Sequence, residues 1–193
     1  DREGYGRLAQ LITCARRRMR KGQYRLYRAD LAGGVRGCLA IVPSARRPDE
    51  ADQGHEPTAS SLPTTEYLQF IASSFAGSAW LAVELHMHAD DGSRLRALQA
   101  LGDASGLPLL AAGDVHMHTR GRRALHDTLT AIRVGKPLAE AVHALFPNAE
   151  RHLRSLPHLA RLYPAALLAR TIDVVQRCQF SLRELRYEYP AEL

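Results

Sequence analysis

The chain is predicted to be an α/β protein whose first part is strand and helix in alternation and whose last part is helix alone. Three observations carry this. Short apolar runs without polar alternation recur at residues 37–42, 80–86 and 107–113, as strands buried on both faces do. Amphipathic stretches separate them, and strand–helix–strand–helix–strand order implies parallel pairing with right-handed crossovers. From Arg120 onward the strand-like runs cease. Together these give a β/α barrel or doubly wound sheet followed by an all-helical segment, with a boundary near residue 120.

The elements follow in order. Leu8, Leu11, Ile12, Ala15 and Met19 share one helix face, and Gly22 stops it. Gly37-Cys38-Leu39-Ala40-Ile41-Val42 reads as a buried strand ended by Pro43. The stretch 43–64 is rich in Pro, Ser, Ala, Asp, Glu and Gly with almost no large apolar residue, so it reads as a flexible loop. A helix around 65–75 precedes the strand-like Trp80–His86. Leu95, Leu98 and Leu101 mark a helix closed by Gly106, and Leu107–Gly113 is the next strand. Leu125, Leu129 and Ile132 share a helix face that Gly135-Lys136-Pro137 breaks. Leu138, Val142 and Leu145 predict a further helix, stopped by Phe146-Pro147. Pro164 suits the first turn of a helix burying Leu167, Leu168, Ile172 and Val175.

Composition bounds what such a chain can be. Of 193 residues, 46% are hydrophobic and 24% charged, which excludes a disordered tail. No apolar run approaches the ~20 residues of a membrane helix, so no membrane partner is expected. Residue 1 is Asp rather than Met, and the sequence reads as a piece of something longer. The three cysteines, Cys14, Cys38 and Cys178, form no C-x-x-C pair. They indicate neither a disulfide framework nor a thiolate zinc knuckle, and a reduced cytoplasmic setting is the simplest expectation.

The net charge of +6 is almost wholly arginine, because only Lys21 and Lys136 are lysines. Its densest part is Arg16, Arg17, Arg18, Arg20 and Lys21, with Arg25 and Arg28 close behind. Clustered cations suit phosphate neutralisation, so this stretch is a candidate nucleic-acid contact; a solvated helix face is the plainer alternative.

Two segments concentrate groups able to bind a metal, Glu84-Leu85-His86-Met87-His88 and Asp114-Val115-His116-Met117-His118. Each follows a predicted strand, where α/β active sites gather. In extended chain, side chains at i and i+2 project to the same side. Glu84, His86 and His88 can then converge, as can Asp114, His116 and His118. Imidazoles with carboxylates suit Zn²⁺, Mn²⁺ or Fe²⁺, and paired ions of this kind clamp phosphoester oxygens. His55, His126, His143, His152 and His158 fall in a loop or on helix surfaces. Nucleophile-elbow, P-loop and dinucleotide fingerprints are missing.

The run Gly113-Asp114-Val115-His116-Met117-His118, with Leu125–Arg133 and Pro147-Asn148-Ala149-Glu150-Arg151-His152-Leu153-Arg154, resembles the bacterial DNA polymerase III alpha chain family. Within it the error-prone, damage-tolerant branch is most similar. The entry at Asp1–Leu8 and the close at Cys178–Tyr187 look like the same family. The likeness runs nearly end to end apart from 43–64, and its specific part is Gly113 to Arg154.

The resemblance implies that residues 1–120 are the later part of a PHP domain, a distorted β/α barrel with a metal cluster at its strand ends. Residues 121–193 would then begin the polymerase module. By position Asp114 and His116 match the family's terminal Asp-x-His metal pair. Glu84 sits where many relatives carry a Glu four residues before a ligand His, and His88 has that spacing. His86 and His118 resemble positions typical of the error-prone branch. The implied cofactor is a divalent metal (Zn, Mn or Mg) in the PHP-like site, with Mg serving the parent polymerase. DNA is the implied partner, together with other damage-tolerance polymerase subunits. The family's first ligands and its catalytic carboxylates fall outside these residues, so the segment alone is expected to be inactive. An opened barrel with exposed apolar edges is a further expectation. The alternative is a free-standing PHP-type metal-dependent phosphoesterase.

Overall fold

A computed structural model of the chain describes residues 1–44 and 62–186. Most of the loop expected over 43–64 therefore lies outside the described residues. The first helix, α1 (Arg2–Arg17), is capped by Asp1, whose side chain accepts the Gly4 amide at 2.7 Å. Arg16 and Arg17 occupy its last turn, where the helix dipole favours cations. Strand β1 (Ala40–Val42), helix α2 (Thr65–Ser74), strand β2 (Ala79–Glu84), helix α3 (Asp91–Ser105) and strand β3 (Leu109–Ala112) follow in alternation. Then come α4 (Arg123–Val134), the short α5 (Leu156–Leu162) and α6 (Ala165–Arg177).

The strands form an open three-stranded sheet in the order β1-β2-β3, with both pairs parallel. The α/β class and the parallel pairing agree with the sequence; a closed barrel is not present among the described residues. Leu81 and Val83 of β2 are fully buried and join Leu68, Ile71, Leu98, Tyr163 and Leu167 in one core cluster. Alternation turns Trp80 and Leu110 to the other face, where Val174 of α6 packs against them. The helices after residue 120 thus share core with the sheet. Among the described residues β3 has a strand neighbour, β2, on one side only, and α6 packs along its other edge. Thr171 Oγ1 donates to Ala111 O at 2.8 Å, and Arg170 donates to Leu109 O at 3.1 Å. Side chains here do what a further strand would otherwise do.

Three expectations are corrected. β1 is not buried on both faces: it is a three-residue edge strand, and Ile41 stands 47% exposed. No helix spans Leu138–Leu145. The Pro137 carbonyl accepts the Glu140 and Ala141 amides in a turn, and only a 3₁₀ turn at Val142–Ala144 follows. The residues between Pro137 and Pro147 are too few to repay helix nucleation, and Pro147 biases the chain before it toward extended backbone. On α6 the buried line is Leu167 and Val174 with Thr171 between them, whereas Ile172 and Val175 are exposed. The Thr171 bond to β3 sets that rotation.

Candidate functional site

β2 ends at Glu84 and β3 at Ala112, so both candidate segments lie just past the strands. Each contains a non-glycine residue with left-handed backbone, Met87 at φ 57° and Asp114 at φ 40°. Such backbone is costly for a residue with a Cβ and persists where surroundings enforce it. The chain is not uniformly extended at these two positions, so alternation alone does not set where the side chains lie.

In the first segment Glu84 and His86 each have a partner outside it. Glu84 accepts the Ser44 hydroxyl at 3.1 Å. His86 is only 4% exposed, and its Nε2 lies 3.1 Å from Gly113 O. A carbonyl can only accept, so Nε2 carries the proton. Burial, and then the positive charge of Arg151, push the His86 pKa down to about 4. The ring is consequently neutral at pH 7. His88 meets His86 edge-on, with ring centroids 6.3 Å apart.

In the second segment, Asp114 Oδ1 and His116 Nε2 do come together, at 3.2 Å. His118 is exposed. Among the described residues, no three His, Cys, Asp or Glu side chains gather as a metal-holding group. The carboxylate of Asp114 instead meets the guanidinium of Arg151, which also stacks on Phe146 at 4.1 Å from the ring centroid. Among the described residues, the donors as arranged therefore do not fit a divalent ion.

What organises the strand ends is the run Phe146–Arg154, whose chemical part the spacing argument did not anticipate. Its backbone runs beside the second segment. The His116 and Met117 amides donate to Arg151 O at 2.9 and 3.0 Å, and Leu153 N returns a bond to Met117 O at 3.0 Å. Asn148 Nδ2 donates to His86 O at 2.7 Å, while its Oδ1 accepts the Glu150 amide at 3.0 Å. Arg154, with its side chain 2% exposed, donates to Leu85 O at 2.9 Å. The nearly buried Glu150 pairs with Arg120 at 2.7 Å. The rings of His116, His126 and Phe146 pack together, and Arg123 of α4 donates to Phe146 O at 3.0 Å. This clasp ties the ends of β2 and β3 to α4. Its sequence signal was the dense alternation of Asn, Glu and Arg after Pro147.

The basic stretch is divided. Arg18 makes a two-point pair with Asp30, its NH2 reaching Oδ1 at 2.7 Å, and stacks on Tyr27. The hydrogen bond from Arg18 is the main reason the Asp30 pKa falls to about 2. Arg28 pairs with Glu66 at 2.9 Å and lies over Phe70. Arg16, Arg17, Arg20 and Lys21 are exposed at the end of α1 and just beyond it.

The geometry thus defines an α/β segment with clasped strand ends and an exposed basic corner. No family model matches the chain. Curated relatives do. The chain is 50% identical to an error-prone DNA polymerase of Methylococcus capsulatus over 194 aligned residues, which take in all of this chain and 17% of that protein. The corresponding identities are 47% for the error-prone DNA polymerase of Dechloromonas aromatica and 48% for that of Pseudomonas aeruginosa, again over the whole chain. The resemblance read from its motifs is therefore correct: the chain is a homologue of one segment of the error-prone DNA polymerases. It spans 17–18% of the length of these relatives.

Proposed function

We propose that this chain is a segment of an error-prone DNA polymerase, the later part of its PHP-like domain with the helical start of the polymerase module. The observation that carries the reading is identity near one half, sustained over the whole chain, to relatives of that name. The parent would extend DNA primers with Mg²⁺, in replication and translesion repair synthesis, in a cytoplasmic setting and beside other damage-tolerance subunits. No helix among the described residues is long and apolar enough to cross a membrane.

In this reading the segment serves as scaffold. The clasp holds the strand ends of the PHP-like part to α4, the first helix after residue 120, so it couples the two parts mechanically. The exposed Arg16, Arg17, Arg20 and Lys21 are proposed to meet DNA phosphates. The test is primer extension by the purified full-length gene product on intact templates and on templates with an abasic site. Extension past the lesion is expected. Failure to extend either template overturns the reading.

A further inference from the structure

We propose that the cation of the strand-end cluster is the guanidinium of Arg151 and that the cluster takes no divalent metal. This rests on the PHP-like reading only for the expectation that a metal belongs there; the geometry comes from this chain's own residues.

Four observations converge. The Asp114 carboxylate, the group expected to anchor a metal, pairs with Arg151. Both side chains are largely withdrawn from water, at 17% and 15% exposure. A guanidinium so held is always charged and strongly repels a dication brought to the same carboxylate. The arginine is also fixed independently of Asp114. Its carbonyl accepts the His116 and Met117 amides, the chain bridges at Met117 and His152, and its guanidinium lies over the Phe146 ring. Lastly, two of the other expected donors have partners elsewhere. Glu84 accepts from Ser44, and His86 Nε2 addresses Gly113 O. His116, which could still ligate, turns Nε2 onto Asp114.

Functionally, the cluster becomes a fixed ionic latch. It holds the left-handed turn at Asp114 against the 146–154 run without depending on metal supply.

The test uses the full-length gene product, with metal content measured by mass spectrometry after dialysis against Zn²⁺ or Mn²⁺. Hydrogen exchange is followed in peptides covering 114–118. The wild type is expected to bring no stoichiometric metal attributable to these residues, so that Asp114→Asn leaves the metal content unchanged. Exchange at 114–118 should be the same with Zn²⁺, with Mn²⁺ and with chelator. Arg151→Gln and Asp114→Asn should each speed that exchange about tenfold or more, since each removes one partner of a largely buried ion pair. The double variant should be milder than the two effects combined. One equivalent of metal lost on Asp114→Asn, or exchange slowed by Zn²⁺ or Mn²⁺, overturns the proposal. The wild-type measurements decide the matter even if a variant fails to fold. Primer extension is scored separately, so failure of the polymerase reading is not confused with failure of this one.

Discussion

The hydroxyl of Tyr163 accepts the Leu85 amide hydrogen at 3.1 Å and donates to Ala112 O at 2.8 Å. One oxygen thus bridges the ends of neighbouring parallel strands, from a residue that lies far along the chain. Burial raises the Tyr163 pKa, so the hydroxyl stays protonated and able to donate. Tyr163→Phe keeps the ring in the core but strands a buried amide and loses the Ala112 bond. The expected loss is about 1–3 kcal/mol of stability, read as a lower urea midpoint at unchanged slope. An unaltered midpoint would show that other groups satisfy the strand ends.

Close approach of α1 to the chain before β1 gives a second prediction. A Cβ on Gly4 would stand 2.2 Å from Gly37 O, while one on Gly6 meets nothing within 4 Å. Both glycines lie inside α1, where Gly→Ala ordinarily adds up to ~1 kcal/mol. Gly6→Ala should therefore stabilise by about that amount. Gly4→Ala should reverse the sign and cost about 2 kcal/mol or more, because backbone must move. Paired thermal melts check this, and a rise in melting temperature for Gly4→Ala would disprove the contact.

Hydrophobic period and glycine stops made much of this fold legible. Gly106 and Gly135 end α3 and α4 with φ of 75° and 67°, as their positions suggested. The parallel strands were legible because β2 and β3 are buried along nearly their whole length. The rotation of α6 was not, since Thr171 is polar and enters a core line only through its bond to β3. Within the candidate site, Asp114 and His116 were found by spacing. Arg151 and Asn148 are not legible this way, because their contacts join residues far apart in sequence. Glu84 meets Ser44 and His86 meets Gly113 O, contacts between residues far apart in sequence that alternation cannot reveal.

His86 sets a pH window. Its folded pKa of about 4 lies below the ordinary 6.5, so folding favours the neutral ring. The unfolded chain binds the proton first as pH falls, and stability must drop with it. The contribution is complete above pH 6.5 and is lost progressively between 6.5 and about 4. Asp30 acts lower, between 3.8 and about 2, so the two steps separate. Urea midpoints at pH 7.5, 5.5 and 4.5 should fall in the wild type and fall less in His86→Gln. Equal slopes in both proteins would mean that His86 is not the group responsible.

The basic corner makes the last prediction. Phosphate contacts release counterions, and each adds about 0.7 to the salt slope of single-strand binding and about 0.9 for duplex. Arg16, Arg17, Arg20 and Lys21 are exposed, whereas Arg18 is held by Asp30 in two-point geometry. If the corner meets DNA, replacing those four with Ala should flatten the log–log salt dependence by up to about four contacts' worth. Arg18→Ala alone should change it little. Asp30→Asn should release the Arg18 guanidinium and steepen the slope, by about one contact at most. Fluorescence anisotropy with labelled single-stranded and duplex DNA across a salt series measures all three. A slope that the four substitutions leave untouched would return this corner to a solvated helix end, with the charge of Arg18 spent on holding Asp30.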